Sequence, residues 1–144
     1  MKVSTRGRYG LRLLIDLAEH PEDSHVALAY VAERQGISVR YLEQVVIILR
    51  RAGYIRSVKG ASGGYALARQ PQDIVVGEVL RVLEGDMLST DPPLPGEPET
   101  KLRSCIRRMV FDRLDRRIAD LIDRKTLASM LGTGEPEASY MYFI

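Results

Sequence analysis

Tryptophan is missing from this chain, and cysteine and histidine are nearly so: its 144 residues hold one cysteine and two histidines. A single cysteine excludes an intramolecular disulfide framework and suits a reducing compartment, so a cytoplasmic location is expected. Cys105, His20 and His25 are far apart in sequence or wrongly spaced. They offer neither a nucleophile–base pair nor an ordinary metal-ligand set, so neither an enzyme nor a metal site is expected. The two histidines flank a loop and read as surface residues. No apolar run approaches the roughly 18–20 residues of a membrane span. Behind Met1-Lys2-Val3-Ser4 there is no apolar stretch of the kind a signal peptide carries.

What is present is ordinary for a globular protein, with 45% hydrophobic and 28% charged residues, enough for one domain or for a small domain with an appendage. The net charge of +2 hides an asymmetry. Residues 1–69 hold 11 Lys/Arg against 6 Asp/Glu, whereas residues 70–144 hold 10 against 13. A basic first half suits an electrostatic footprint on one face.

The first half reads as three helices. Ser4 and Thr5 offer N-caps, and Tyr9, Leu13, Leu14, Leu17 and Ala18 recur at helical spacing until Pro21. A short second helix carries Leu28, Val31 and Ala32 inward and ends at Gly36. Ser38 then caps a third, with Leu42, Val45, Val46 and Leu49 as its inner face and Gly53 closing it. Two helices across a short glycine turn make a helix-turn-helix over about residues 28–51. On the outer face lie Arg40, Glu43, Gln44 and Ile47, with Tyr41 flanking. A solvated helix face would look the same, but Arg, Gln and Glu also carry the donors and acceptors that read guanine, adenine and cytosine edges. The helix N-terminus at Ser38 further suits a phosphate.

After Gly53 the period falls from 3.6 to 2. Residues 54–58 and 65–68 read as two short strands around Lys59-Gly60-Ala61-Ser62-Gly63-Gly64, a basic, glycine-tipped hairpin. Placed directly after the helix, it reads as a wing over about residues 54–68. Bare backbone at Gly60, Gly63 and Gly64 allows a close approach, and Lys59 and Arg56 attract phosphate.

Several ordered motifs carry a resemblance. They are Ser4-Thr5-Arg6-Gly7-Arg8-Tyr9-Gly10, Gly36-Ile37-Ser38 with Tyr41-Leu42-Glu43-Gln44, Leu49-Arg50-Arg51-Ala52-Gly53, Val58-Lys59-Gly60, Gly63-Gly64-Tyr65-Ala66-Leu67, and Val76-Gly77-Glu78-Val79. Together they resemble the Rrf2 family of bacterial winged-helix regulators over roughly residues 1–131. The resemblance implies a homodimeric regulator, usually a repressor, on a pseudo-palindromic operator. It also adds DNA contacts from Ser4, Arg6, Tyr9, Arg50, Arg51, Ser57, Ser62 and Tyr65. The expected fold is mainly α: a winged helix-turn-helix domain over residues 1–84 with a two-stranded wing, joined to a long dimerisation helix.

That helix follows a Pro-rich loop, residues 85–100, expected to be mobile; four of the seven prolines fall here. Residues 101–131 read as the long helix and a short cap helix starting at Thr126. The apolar stripe is Leu102, Ile106, Met109, Val110, Leu114, Ile118, Leu121 and Ile122, with Cys105 on it. A helix of about 35 Å is longer than one small winged domain covers, so much of the stripe is expected to face a second subunit. The alternative is packing along its own chain. The apolar tail within residues 132–144 could add to an edge or cover a groove.

Cluster-binding members of the family place three cysteines in and just after the loop; this chain matches only the last, at Cys105. Arg108 and Arg8 stand where such members have a histidine or an acidic ligand. One thiolate per chain is too few for an iron–sulfur cluster, so no cofactor is expected and the chain is closest in character to the cluster-free, CymR-like branch. Signal input would then come from a regulatory protein partner, a small molecule or the redox state of Cys105, although a small apolar core residue is the commoner role for such a cysteine. Two alternatives stay open: an iron–sulfur or thiol redox sensor of the same fold, and a winged-helix protein-interaction module that does not bind DNA.

Overall fold

A computed structural model describes residues 2–131; the expectations for the tail lie outside the described residues. The order is α1 (Thr5–Ala18), α2 (Leu28–Gln35), α3 (Val39–Arg51), β1 (Ile55–Val58), β2 (Gly64–Leu67), α4 (Val76–Glu84), α5 (Lys101–Ile106), a π-helical segment (Arg107–Phe111), α6 (Asp112–Asp123) and α7 (Leu127–Met130).

The helical stripes converge as their spacing requires. Leu13 and Leu14 of α1, Val31 of α2, Leu42, Val45 and Leu49 of α3 and Val79 of α4 meet in one core from which water is excluded. Leu127 of α7 is fully buried in the same core. It is drawn in by a backbone hydrogen bond from Leu127 N–H to the Ile74 carbonyl, 3.0 Å, and by the bridge between Val75 and Thr126. The strands pair antiparallel with Ile55 opposite Leu67 and Val58 opposite Gly64. Val26, just before α2, adds a bridge to Tyr65, so the hairpin is tied along its outer edge to the helix-turn-helix.

Two polar links hold α1 in place. Asp16, only 2% exposed, lies on the buried side of α1. Its carboxylate accepts from Arg34 Nε (3.0 Å), Arg34 Nη2 (2.6 Å) and Gln35 Nε2 (2.9 Å) at the end of α2. Burial would raise its pKa, but these hydrogen bonds outweigh it and hold the carboxyl below its ordinary value. Glu84, at the end of α4, accepts from Ser4 N–H (3.0 Å), Ser4 Oγ (2.5 Å) and Gly7 N–H (2.9 Å). There too burial is outweighed and the pKa is lowered. A carboxylate from a distant helix therefore completes the N-terminus of α1.

The Pro-rich loop is anchored near both of its ends. Glu97 pairs with Arg103 at 2.8 Å and Glu99 with Arg107 at 2.9 Å. Arg103 also donates to the Pro98 carbonyl, and Ser89 N–H donates to Asp115. The long helix runs from Lys101 to Asp123 with the π segment in its middle. Its sequence explains the irregularity. Leu102, Ile106, Val110, Leu114, Ile118 and Ile122 recur every fourth residue, whereas an ideal helix turns about 100° per residue. The line would drift about 40° per step, or about 200° in all. A π turn holds one residue more than an α turn, which brings the line back by about 100° and keeps the stripe on one side.

Candidate nucleic-acid interface

The outer face of α3 starts from its cap. Ser38 Oγ accepts from Tyr41 N–H at 3.1 Å, and Gly36, in the left-handed conformation at φ +64°, ends α2 two residues earlier. The tight turn leads into α3, which has Leu42, Val45, Val46 and Leu49 inward. Arg40, Glu43, Gln44 and Ile47 are left exposed, and Arg50 and Arg51 are exposed in the last turn. The orphan carbonyls at the far end are not left to water: Arg69 Nε and Nη2 donate to Gly53 and Ala52. The Arg69 guanidinium also lies 4.5 Å from the Tyr54 ring centroid. Both ends of α3 are thus fixed by side chains.

Tyr41 is half-buried because it packs edge-on against Tyr9, with ring centroids 5.2 Å apart at 78°. Arg12 stands 5.5 Å from the Tyr9 centroid and donates to the side chain and backbone carbonyl of Gln35. Tyr9 therefore props the start of α3 against α1, with Arg8 and Arg12 beside it. Arg6 is exposed on the first turn of α1. The Ser4 hydroxyl is turned toward Glu84, so its proton is engaged inside the chain.

In the wing, Arg56, Ser57, Lys59, Gly60 and Ser62 are exposed, and Tyr65 is half-buried beneath them. The last two wing glycines have reasons internal to the fold. A Cβ at Gly64 would strike the Val26 carbonyl, and one at Gly63 the carbonyls of Val58 and Gly60. Gly60, at φ +114° with open space around it, is where the bare backbone faces outward. The tip is steadied by His25, whose Nε2 sits 2.5 Å from the Ser62 carbonyl; a carbonyl only accepts, so that nitrogen carries the proton. His25 is thus more than a surface histidine.

Of the residues that orient the surface, Arg34, Arg69, Glu84 and His25 leave no signal in the sequence. A usable signal exists only for Asp16, a charged residue one turn after Leu13 on an otherwise apolar stripe.

The second surface is the stripe of the long helix. Not one residue from Lys101 to Asp123 is buried. Leu102 is 69% exposed and Leu121 62%, with Ile106, Met109, Val110 and Leu114 also open and Ile118 and Ile122 half-buried. The expectation of Cys105 as a core residue fails for the single chain, because the thiol is exposed on this stripe. Among the described residues nothing covers it.

The donor set does not fit an iron–sulfur cluster. Among the described residues no three His, Cys, Asp or Glu side chains are grouped to hold a metal ion. In the loop, Glu97 and Glu99 are occupied by Arg103 and Arg107. Cys105 is the only thiolate source, and positions 8 and 108 present cations. Among the described residues no helix is long and apolar enough to cross a membrane.

A family model described as Rrf2, iron-dependent transcriptional regulator, matches residues 3–133. The chain is 36% identical to the HTH-type transcriptional regulator CymR of Bacillus subtilis (strain 168), over an alignment that covers 100% of both. The structure of CymR, the global cysteine regulator of B. subtilis, superposes with a TM-score of 0.76 at 35% identity, covering 90% of this chain and 95% of that one. The structure of T. potens IscR does so at 0.74 and 42% identity, covering 99% and 96%.

Proposed function

The chain belongs to the Rrf2 family and is a bacterial DNA-binding transcription regulator rather than an enzyme; from that premise we propose that it is a homodimeric, cytoplasmic repressor of a pseudo-palindromic operator. The observation that carries the reading is the outer face of α3. A helix fixed at both ends exposes Arg40, Glu43 and Gln44 together, while the wing holds Lys59 out beside it. In this reading α3 enters the major groove, the three side chains meet base edges, and Arg50, Arg51, Arg6 and the wing meet phosphates. Glu43 would be repelled by phosphate, so its place in the middle of the face favours base reading over backbone contact.

A second copy would join through the stripe of α5 and α6, setting two α3 helices about one DNA turn apart, roughly 34 Å. Removing water from eight large apolar side chains is what stabilises the long helix in that arrangement. Related regulators include both CymR and IscR types, so kinship alone does not decide the cofactor. The donor set favours a cluster-free protein, with Cys105, a small molecule or a partner protein as the signal input.

Fluorescence anisotropy against genomic fragments recovered by footprinting tests the DNA reading. Nanomolar binding that falls steeply with salt on footprinted fragments, and much weaker binding on random duplex, is the expected result. Equal affinity for both would defeat it. Anaerobic purification with iron and sulfide assays tests the cofactor reading; near-stoichiometric iron and sulfide with a visible cluster band would place the chain among cluster sensors instead.

A further inference from the structure

On the outer face of α3, one residue is out of keeping with its neighbours. Ile47 is 46% exposed, although every other residue along the same line is charged or polar. At about 100° per residue, Arg40, Glu43, Gln44, Ile47 and Arg51 fall within one sector, with Ile47 between the directions of Glu43 and Gln44. Single exposed apolar residues are common and need no explanation of their own. This one sits in the centre of a face otherwise made for polar contact, at the i, i+3, i+4, i+7 spacing that major-groove helices use to touch successive bases. Nothing in the inner core calls for it, because Leu42, Val45, Val46 and Leu49 already fill the buried side.

We infer that Ile47 is a specificity-determining residue that packs on the C5-methyl group of a thymine in the operator. The inference rests on the DNA-reading role of α3 and adds to it the identity of one base. The major groove offers a single apolar feature, the thymine methyl, and an apolar side chain distinguishes it from cytosine, which presents a donor and no methyl. The placement along the axis fits. Ile47 lies three residues beyond Gln44, about 4.5 Å at 1.5 Å per residue, which is close to the rise of one base pair, about 3.4 Å. Arg51, one turn further on, is exposed and in this arrangement would meet the phosphate that bounds the groove. The thymine therefore lies about one step beyond the base read by Gln44, on the side toward Arg51.

Replacing thymine by deoxyuridine removes that methyl and nothing else, so the test is a double-substitution cycle on the footprinted operator. Each thymine of one half-site is changed to deoxyuridine in turn, and affinity is measured for the wild-type protein, Ile47→Val and Ile47→Ala. One position is expected at which the change weakens wild-type binding about three- to fivefold, the worth of one buried carbon. At that position Ile47→Ala should bind the two DNAs equally, and Ile47→Val should keep part of the difference. Ile47 is exposed, so the variants keep the fold; circular dichroism checks this. If the protein binds its operator but no thymine shows a loss that disappears in Ile47→Ala, the inference is overturned while the DNA reading stands. If wild type fails to prefer the operator over random duplex, both are overturned together.

Discussion

Helix α1 buries six of its 14 residues and α3 four of its 13, while between Lys101 and Asp123 not one residue is buried. Both regions are amphipathic, and both carry leucine, isoleucine and valine at helical spacing. What differs is the supply of partners. The stripes of α1, α2, α3 and α4 find one another, and the polar links at Asp16 and Glu84 lock them together. The long helix meets the rest of its chain through exposed or half-exposed polar links, at Arg103, Arg107 and Asp115 and, near its end, where Arg81 of α4 pairs with Asp123 at 2.6 Å. Isolated helices have little stability in water without a packed face. The first region is complete within the chain, whereas among the described residues the stripe of the second is left without a cover.

The contrast is broken most directly by charging the stripe. Met109→Glu or Ile118→Glu would bury an unpaired carboxylate in the joined helices at a cost of several kcal/mol. Light scattering should show a dimer for the wild type at micromolar concentration and a monomer for either variant, with operator binding lost. The first region should keep its fold in both, since neither side chain belongs to its core. A wild-type monomer would remove the basis for the comparison.

Next in size is the lock inside the first region. Asp16→Asn keeps the shape but removes the charge that Arg34 and Gln35 are arranged around, and should cost about 1–3 kcal/mol at pH 7. The sign with pH follows from the lowered pKa in the folded state. The contribution is fully present above the unfolded value near 3.8 and is lost as pH falls through the lower, folded one. Urea unfolding of the two proteins should therefore differ at pH 7 and converge below about pH 4. A gap that does not narrow in acid would mean that the carboxylate's charge is not what matters.

The two regions were also unequally legible in the sequence. Periodicity placed the first three core helices, because their burial is met inside the chain and an inward stripe is what the pattern measures. Ser38 and Gly36 fixed the turn before α3 for the same local reason. Pattern could not supply contacts between residues distant in sequence. Glu84 at the N-terminus of α1, Arg69 on the α3 carbonyls and Val26 beside Tyr65 belong to the folded object alone. In the second region the stripe was visible but its fate was not, and Cys105 was given a core place that the single chain does not provide. The every-fourth-residue spacing of Leu102 to Ile122 drifts around an ideal helix, and the π segment returns it to one side.

Within the region proposed to face DNA, helix and wing should separate by the kind of loss they cause. Gln44→Ala or Arg40→Ala should cost about 1–3 kcal/mol on the operator and relax the preference at one base position, since a side chain reading a base edge matters only where that base is present. Competition against operators randomised at single positions measures it. An equal loss on operator and random duplex would assign these residues to the backbone.

The smallest expected effect belongs to Lys59, and it separates wing from helix most cleanly. Lys59 is exposed on a hairpin whose tip is held by His25 and whose edge is held by Val26, so its ammonium is presented by a fixed frame. An ammonium is a flexible point charge that suits a phosphate better than a base edge. Neutralising one phosphate releases about one counterion, so Lys59→Ala should lower the slope of log affinity against log salt by about one unit. The loss should be similar on operator and random DNA, and should shrink as salt rises. Titrations at four salt concentrations suffice. An unchanged slope with a sequence-dependent loss would move Lys59 from the phosphates to a base, and the wing would then share the reading that α3 is assigned here.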